Sequence, residues 1–182
     1  AGELEVRDGV MKVWGYGHAG ATAGASGTVT VSGGVFSNAF KAAQTPLGQA
    51  SVFYLGNGSG ARGTLNVTGG TAAFYSLYSG LSGGHAAINV SGGRLLLCYD
   101  LRFSLNSQAM GDEEEDVFTQ TGGQVDATYS DNVSIGYGAT RLARIRLNGG
   151  RFQASGLQGG KAFSGTGLAA FEADGGTLVA RK

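Results

Sequence analysis

Apolar and polar residues alternate along this chain in short stretches that end at pairs of glycine. Six of the chain's Gly-Gly pairs and the related pair Asp8-Gly9 recur every 23 to 36 residues, which divides the chain into seven copies of one pattern. The second residue of each pair serves as the anchor of its copy: Gly9, Gly34, Gly70, Gly93, Gly123, Gly150 and Gly176. A period of this length is typical of repeat architectures, in which each copy forms one supersecondary unit.

Positions around the anchor keep the same chemical character from copy to copy. Five residues before it, every copy has a large apolar residue: Leu4, Val29, Leu65, Ile88, Phe118, Ile145 and Phe171. The next position is polar in every copy: Glu5, Thr30, Asn66, Asn89, Thr119, Arg146 and Glu172. The positions three before, two after and four after the anchor are apolar, with Gln120 and Asn38 as the exceptions. This period of two predicts a strand on each side of the glycine bend, both burying the same face.

Some copies contain a third stretch with strand character. Val52–Leu55 and Val133–Ile135 are short apolar runs, and each is followed by a Gly-x-Gly motif. The motif occurs in three copies, at residues 15–17, 56–58 and 136–138. We therefore predict a third strand and then a loop whose length varies between copies. The longest insertions are expected near Lys41–Gln49 and Leu105–Asp116.

Two architectures fit the order of strand, glycine bend and strand in each copy. In an antiparallel array, Gly-Gly would form a two-residue hairpin turn. In a parallel β-solenoid, each copy would be one coil and Gly-Gly would turn a corner. The match in residue type between copies, the third strand and the coil length of 23 to 36 residues favour the solenoid. The prediction is an all-β protein, a single right-handed parallel β-helix of about seven coils that forms one domain over residues 1–182.

Part of the chain resembles a known repeat family. Residues 54–71, YLGNGSGARGTLNVTGGT, resemble the autotransporter-associated β-strand repeat, and residues 27–34 and 87–93 are two further copies. Similar repeats occur in large secreted bacterial proteins, including those with PEP-CTERM sorting tails. The resemblance implies a right-handed parallel β-helix that is exported and exposed on the cell surface or secreted.

Composition narrows the classes of function. Glycine supplies 35 of 182 residues, which disfavours a helical bundle, and proline occurs once, which excludes collagen. Thirteen basic and thirteen acidic residues balance, so the positive charge expected of a nucleic-acid-binding protein is missing. No apolar run reaches the length of a membrane-spanning helix, and a single cysteine excludes an internal disulfide. We expect neither a nucleic-acid partner nor membrane insertion.

Residues capable of catalysis are sparse and scattered. His18 and His85 lie about three copies apart, and Cys98 follows an apolar run, so a Ser/His/Asp or Cys/His arrangement is disfavoured. A polysaccharide-cleaving site would need carboxylates on neighbouring coils. The candidates are Asp126 and Asp131, with Arg102 or with Arg144, Arg146 and Arg151. The sequence predicts no catalytic residue, no cofactor-binding residue, no metal site and no cofactor.

Two charged segments stand out. Asp112–Asp116 is a run of five acidic residues, which could bind a hard cation but is predicted to be a solvated insertion between coils. Arginines follow at positions 141, 144, 146 and 151. Period two places Arg144 and Arg146 on one exposed face, where they could meet an anionic glycan. An ion pair with the acidic loop of the preceding coil is the favoured alternative.

The predicted role is structural. A continuous apolar core without a convergent polar site indicates a non-catalytic rod. Together with the resemblance, which implies export, this predicts a rod of an exported bacterial surface protein or of an extracellular fibre. The chain begins and ends inside strand patterns without an obvious cap. The expected partners are therefore further copies stacked head to tail, or neighbouring repeats of a longer chain. An adhesin that binds surface glycans through exposed Tyr, Asn and Arg is the alternative, and a polysaccharide lyase or hydrolase is the third hypothesis. We expect the tyrosines mainly at ladder and corner positions.

Overall fold

Parallel strands run through the whole computed structural model, which describes residues 1–41, 50–105, 115–128, 132–136, 142–159 and 168–180. These residues form sixteen strands and contain no helix. The strands are β1 Gly2–Val6, β2 Val10–Lys12, β3 Tyr16–Ala19, β4 Ser26–Val31, β5 Val35–Asn38, β6 Val52–Asn57, β7 Arg62–Val67, β8 Thr71–Leu81, β9 His85–Val90, β10 Arg94–Phe103, β11 Asp116–Gln120, β12 Gln124–Ala127, β13 Asn132–Ile135, β14 Leu142–Ala154, β15 Leu157–Gly159 and β16 Leu168–Ala180.

The strands stack in three parallel faces. The first face follows the order β1, β4, β7, β9, β11, β14 and β16. The second face contains β2, β5, β8, β10, β12, and the later halves of β14 and β16. The third face contains β3, β6, the later halves of β8 and β10, then β13 and β15. The described residues therefore form six coils with three faces and a further coil with two. The predicted parallel solenoid is confirmed, and the hairpin array is wrong. Its right-handed winding stays a prediction.

The register between coils matches the alignment made from the sequence. Leu65 pairs with Val29 on one side and with Ile88 on the other, so the column five residues before the anchor forms a stacked ladder. In the interior coils this ladder is almost fully buried. In the first and last described coils, a neighbouring coil covers the core residues on one side only. Met11 and Leu178, two residues after their anchors, remain 36% and 42% exposed there.

Phenylalanine from different faces meets inside the solenoid. Phe36 and Phe74 from the second face surround Phe53 from the third, with ring centroids 5.3 to 5.6 Å apart. Farther along the axis, Phe118 of the first face lies between Phe103 and Phe152, at 6.2 and 5.8 Å. These edge-on and tilted contacts are favourable aromatic geometries, and they join the three faces into one core.

The two glycines of each pair have different structural tasks. The second one has positive φ, for example 60° at Gly93. The first one lies against the preceding coil: a Cβ on Gly92 would meet the carbonyl oxygen of Thr68, and its N–H donates to the carbonyl of Val67 at 3.3 Å. The pair thus turns the corner and lets successive coils approach closely.

One detail of the predicted third strand is wrong. Gly15-Tyr16-Gly17 does not align with Gly56-Asn57-Gly58, because Tyr16 pairs with Val52 at the start of the strand. The counterpart of Gly56 is Gly20, whose carbonyl accepts the N–H of Asn57 at 2.7 Å. Both insertions predicted from the sequence lie largely outside the described residues.

The two polar exceptions in the apolar columns are buried and bonded to corner carbonyls. Asn38 Nδ2 donates to the carbonyl oxygens of Val13 and Gly15 at 2.8 and 3.2 Å. Gln120 Nε2 lies 3.1 to 3.3 Å from three carbonyl oxygens, those of Gly122, Gly123 and Arg151. Since an unpaired buried carbonyl is costly, these amides stabilise corners that an apolar side chain would leave unsatisfied.

Candidate functional site

Aromatic side chains gather on one side of the solenoid. The register of the third face places His18, Tyr54, Tyr78 and Arg102 in one outward column, one residue from each of the first four coils. Tyr16 lies two residues before His18 on the same strand. Tyr75 and Tyr99 lie at the corner that leads from the second face to the third. We call these seven residues the aromatic flank.

The rings of the outward column contact one another along the axis. His18 stacks on Tyr54 with centroids 5.0 Å apart, and Tyr54 meets Tyr78 edge-on at 5.7 Å. The guanidinium of Arg102 lies over the Tyr78 ring, 4.9 Å from its centroid. Tyr16, 56% exposed, extends the group beside Tyr54 at 6.2 Å. The expectation that tyrosines occupy ladder and corner positions is confirmed for the five that the structure describes; Tyr129 and Tyr137 lie outside the described residues.

A buried carboxylate, that of Asp100, lies beside this column on the same strand as Arg102. Asp100 is 1% exposed, and its Oδ2 accepts hydrogen bonds from Arg102 Nε at 2.7 Å and from the Tyr78 hydroxyl at 3.3 Å. Burial raises the pKa of Asp100, and the nearby Arg102 cation opposes that rise. Burial likewise raises the pKa of Tyr78 and lowers that of His18. Asp100 therefore fixes the positions of Tyr78 and Arg102.

An open cavity of about 430 Å³ adjoins the corner of the flank. The described residues that line it are Lys41, Tyr75, Cys98 and Tyr99. The Tyr75 and Tyr99 rings are stacked 5.0 Å apart and only 3° from parallel. A bulge in β10 produces this arrangement, since Cys98 and Tyr99 lie between Leu97, which pairs with Phe74, and Asp100, which pairs with Ser76. Burial raises the pKa of the Cys98 thiol, with a further contribution from Asp126.

The residues considered for catalysis are not brought together. His18 is on the third face, whereas His85 is 7% exposed on β9 of the first face. Cys98 lies at the corner cavity beside two tyrosines. The two histidines therefore lie on different faces of the solenoid.

The carboxylates considered for polysaccharide cleavage also have other partners. Asp126 bonds Arg94 at 2.6 Å and the Thr128 hydroxyl at 2.6 Å, on the second face. Burial alone would raise its pKa, but these hydrogen bonds outweigh burial and lower it. Arg102 is instead bonded to Asp100, and Asp131 lies outside the described residues. The structure therefore does not join Asp126 and Arg102 in one site.

The acidic run is only partly described, at Glu115 and Asp116, and Asp116 departs from the predicted solvated loop. Asp116 is fully buried, and its Oδ1 accepts the N–H of Ala86 at 2.7 Å. Glu115 forms two hydrogen bonds to Arg144, at 2.8 and 2.9 Å. The hypothesis of a solvated insertion is wrong for Asp116, because the run ends in the first strand of its coil. Residues 112–114 lie outside the described part.

Arg144 and Arg146 bind carboxylates of both neighbouring coils. Besides Glu115 of the preceding coil, Arg144 contacts Glu172 of the following one, and Arg146 Nε donates to Glu172 at 3.2 Å. The favoured ion pairing with the preceding acidic segment is confirmed. The pairing with Glu115 lowers the pKa of that carboxyl and raises that of Arg144. Arg151 lies apart on the second face, and Arg141 is outside the described residues.

Among the described residues, no three His, Cys, Asp or Glu side chains lie close enough together to hold a metal ion. The same part of the chain holds no helix that is long and apolar enough to cross a membrane. No known family model matches the chain, and neither a curated protein nor a solved structure matches it.

The sequence alone did not place the residues of the aromatic flank side by side, because five of the seven lie in the third strand. That strand has no Gly-Gly anchor shared by all its copies, so the copies could not be aligned without the pairing seen in the structure. The signal that could have found it is the spacing of aromatic residues from the following glycine: Tyr54 and Tyr78 each lie two residues before one, Gly56 and Gly80.

Proposed function

We propose that this chain is a non-catalytic structural rod, part of an exported bacterial surface protein or of an extracellular fibre. The observation that supports the proposal is the unbroken stack of parallel coils around one apolar core. Repetition of the same strand register lets each coil contact only its neighbours, which suits extension along one axis. Seven coils at a strand spacing of ~4.8 Å give a rod of roughly 34 Å.

The partners of this rod are proposed to be further coils. They come either from a second copy stacked head to tail or from neighbouring repeats of a longer chain. A strand edge offers unpaired N–H and C=O groups, and pairing them with another coil repeats the geometry already present inside the solenoid. The secreted or cell-surface location rests on the resemblance of residues 54–71 to the autotransporter-associated repeat.

Electron microscopy of the purified chain at several concentrations tests the choice of partner. Long unbranched fibres with strands perpendicular to the axis are expected if copies stack head to tail. Short isolated particles at every concentration would instead favour neighbouring repeats of a longer chain.

Incubation with acidic polysaccharides tests the non-catalytic part of the proposal. We expect no new reducing ends and no unsaturated sugar product from polygalacturonate. Product formation that disappears in Asp126→Asn would contradict the proposal and favour the polysaccharide lyase or hydrolase hypothesis. Asn89→Asp, a change on an exposed position of the first face, is the matched control.

A further inference from the structure

We infer that the aromatic flank binds an uncharged oligosaccharide, with one sugar ring in the cavity beside Tyr75 and Tyr99. The inference goes beyond the structural role and does not depend on it, because a rod can carry this surface whether or not its ends are joined. It rests on the composition of the flank, its charge balance and its dimensions.

Composition favours a sugar over a purely apolar ligand. A sugar ring has C–H groups on its faces and hydroxyls around its rim, and tyrosine offers a matching apolar ring with a polar end. Tyr99 is 45% exposed while its ring stacks on Tyr75, so a rigid aromatic pair borders the cavity. The hydroxyls of both tyrosines can exchange hydrogen bonds with sugar hydroxyls.

The two arginines at and near the flank are already paired within the protein, which favours a ligand that does not compete for them. Asp100 forms an ion pair with Arg102 beside the column, and Asp126 forms one with Arg94 near the cavity. Each carboxylate is therefore matched by a guanidinium within the protein. An acidic sugar would have to compete with Asp100 and Asp126 for these two arginines, whereas a neutral sugar leaves both pairs intact.

The dimensions fit a short chain of sugars. A cavity of about 430 Å³ is of the size that takes a small molecule, and pockets of this kind are lined by aromatic side chains with a few polar groups. The outward column continues the surface over four coils, which at ~4.8 Å per coil is roughly 15 Å. One ring in the cavity and further rings along the column would use both parts of the flank.

The single cysteine provides a direct measurement, because Cys98 lines the cavity. The folded protein is treated with iodoacetamide in mildly alkaline buffer, and alkylation of Cys98 is followed by mass spectrometry. The probes are hexasaccharides of glucose, xylose, mannose and galactose, with an oligogalacturonate as the acidic comparison. We expect at least one neutral hexasaccharide to slow alkylation in a saturable manner, and calorimetry to give the same dissociation constant.

Three variants assign the binding to the flank. Tyr99→Ala should weaken binding about tenfold, since an aromatic contact of this kind contributes roughly 1.4 kcal/mol. Tyr99→Phe retains the ring and should lose much less. Asn89→Ala, on the first face, should leave binding unchanged. The melting temperature and circular dichroism of each variant check that the solenoid is intact.

Three results would overturn the inference. One is full-rate alkylation with every neutral hexasaccharide, together with no calorimetric binding. Another is protection by the oligogalacturonate alone, which would make the ligand acidic. The third is equal binding by Tyr99→Ala and the parent, which would place the sugar elsewhere. None of these results bears on fibre formation, so the two proposals fail separately.

Discussion

At the scale of single residues, the direction of each side chain is set by its place in a ladder. Ile88 is fully buried between Leu65 and Phe118, whereas its neighbour Asn89 is exposed and bonds Asn66 of the adjacent coil at 3.0 Å. Because successive residues of a strand point to opposite sides, adjacent positions differ completely in what they tolerate.

Ile88→Asp should therefore unfold the protein, while Asn89→Asp should not. An unpaired charge in the core is expected to cost about 4 kcal/mol or more, a large part of the roughly 5–15 kcal/mol that stabilises a domain. Circular dichroism and thermal melting measure the outcome. A β-sheet spectrum and an unchanged melting temperature for Ile88→Asp would show that the inward assignment is wrong.

Variants of three glycines distinguish the two roles of glycine at the corners, which are a positive φ and close packing against the preceding coil. Gly60 has φ of 65° and open space around it, so Gly60→Ala should cost about 1–2 kcal/mol through backbone conformation alone. Gly92→Ala would press a Cβ against the backbone of the preceding coil without a positive φ, and Gly93→Ala combines both penalties. Urea denaturation should rank Gly93→Ala as the most destabilised. Equal losses for Gly60→Ala and Gly93→Ala would contradict a role for close packing.

Asp116 offers a test of the buried end of the acidic run. Asp116→Ala leaves the buried N–H of Ala86 without its acceptor and should cost about 1–3 kcal/mol. Asp116→Asn retains an oxygen at the same place and should lose less. Equilibrium denaturation in urea compares the two variants. If Asp116→Ala is as stable as the parent, the hydrogen bond does not contribute to stability.

At the scale of strands, charged side chains join neighbouring coils alongside the backbone ladder. Arg94 at the start of β10 binds Asp126 in β12, which lies on the next coil of the second face. Arg144 in β14 likewise contacts Glu115 and Glu172 on the coils on either side. The strands are thereby held in register by charge as well as by backbone hydrogen bonds.

The Arg94–Asp126 pair should make stability depend on pH with a definite sign. The folded-state pKa of Asp126 lies below its ordinary value of 3.8, so the unfolded chain binds the proton first as the pH falls. The contribution of the pair is complete above about pH 5 and is lost as the pH falls below 4 through the folded pKa. Comparing Asp126→Asn with the parent by urea denaturation should show a difference that shrinks over this range. A difference that grows on acidification would contradict the assignment.

At the scale of the whole molecule, two of the three faces were predictable from sequence. The column around Ile88 and the glycine anchors fixed the strands on either side of the bend, because identical positions stack on identical positions. The third face was not aligned: its corner includes Gly20, Gly56 and a serine, Ser104, with φ of 61°. The aromatic flank lies on this face, and its cavity depends on a bulge in β10 that no column of the alignment contains.

Stacking of equivalent coils predicts that one whole coil can be removed. Deleting residues 71–93 joins Gly70 to Arg94 and removes 23 residues, the shortest spacing between anchors. In the shortened chain, Leu95 would pack on Phe36 and Phe118 on Leu65, which keeps apolar residues in both columns. Asp116 would meet the N–H of Gly63, which occupies the place of Ala86 one coil earlier.

We expect this deletion variant to keep its β-sheet spectrum and a cooperative melt, because each coil depends only on its neighbours. Small-angle scattering should show a rod shorter by one strand spacing, ~4.8 Å. Deleting residues 71–82 is the matched control. It removes about half a coil, so strands of the first face would follow where the second face is required, and that variant should not fold. Equal tolerance of the two deletions would mean that the register between coils does not determine the fold, whereas survival of the whole-coil deletion alone would show that the coil is the unit from which this molecule is built.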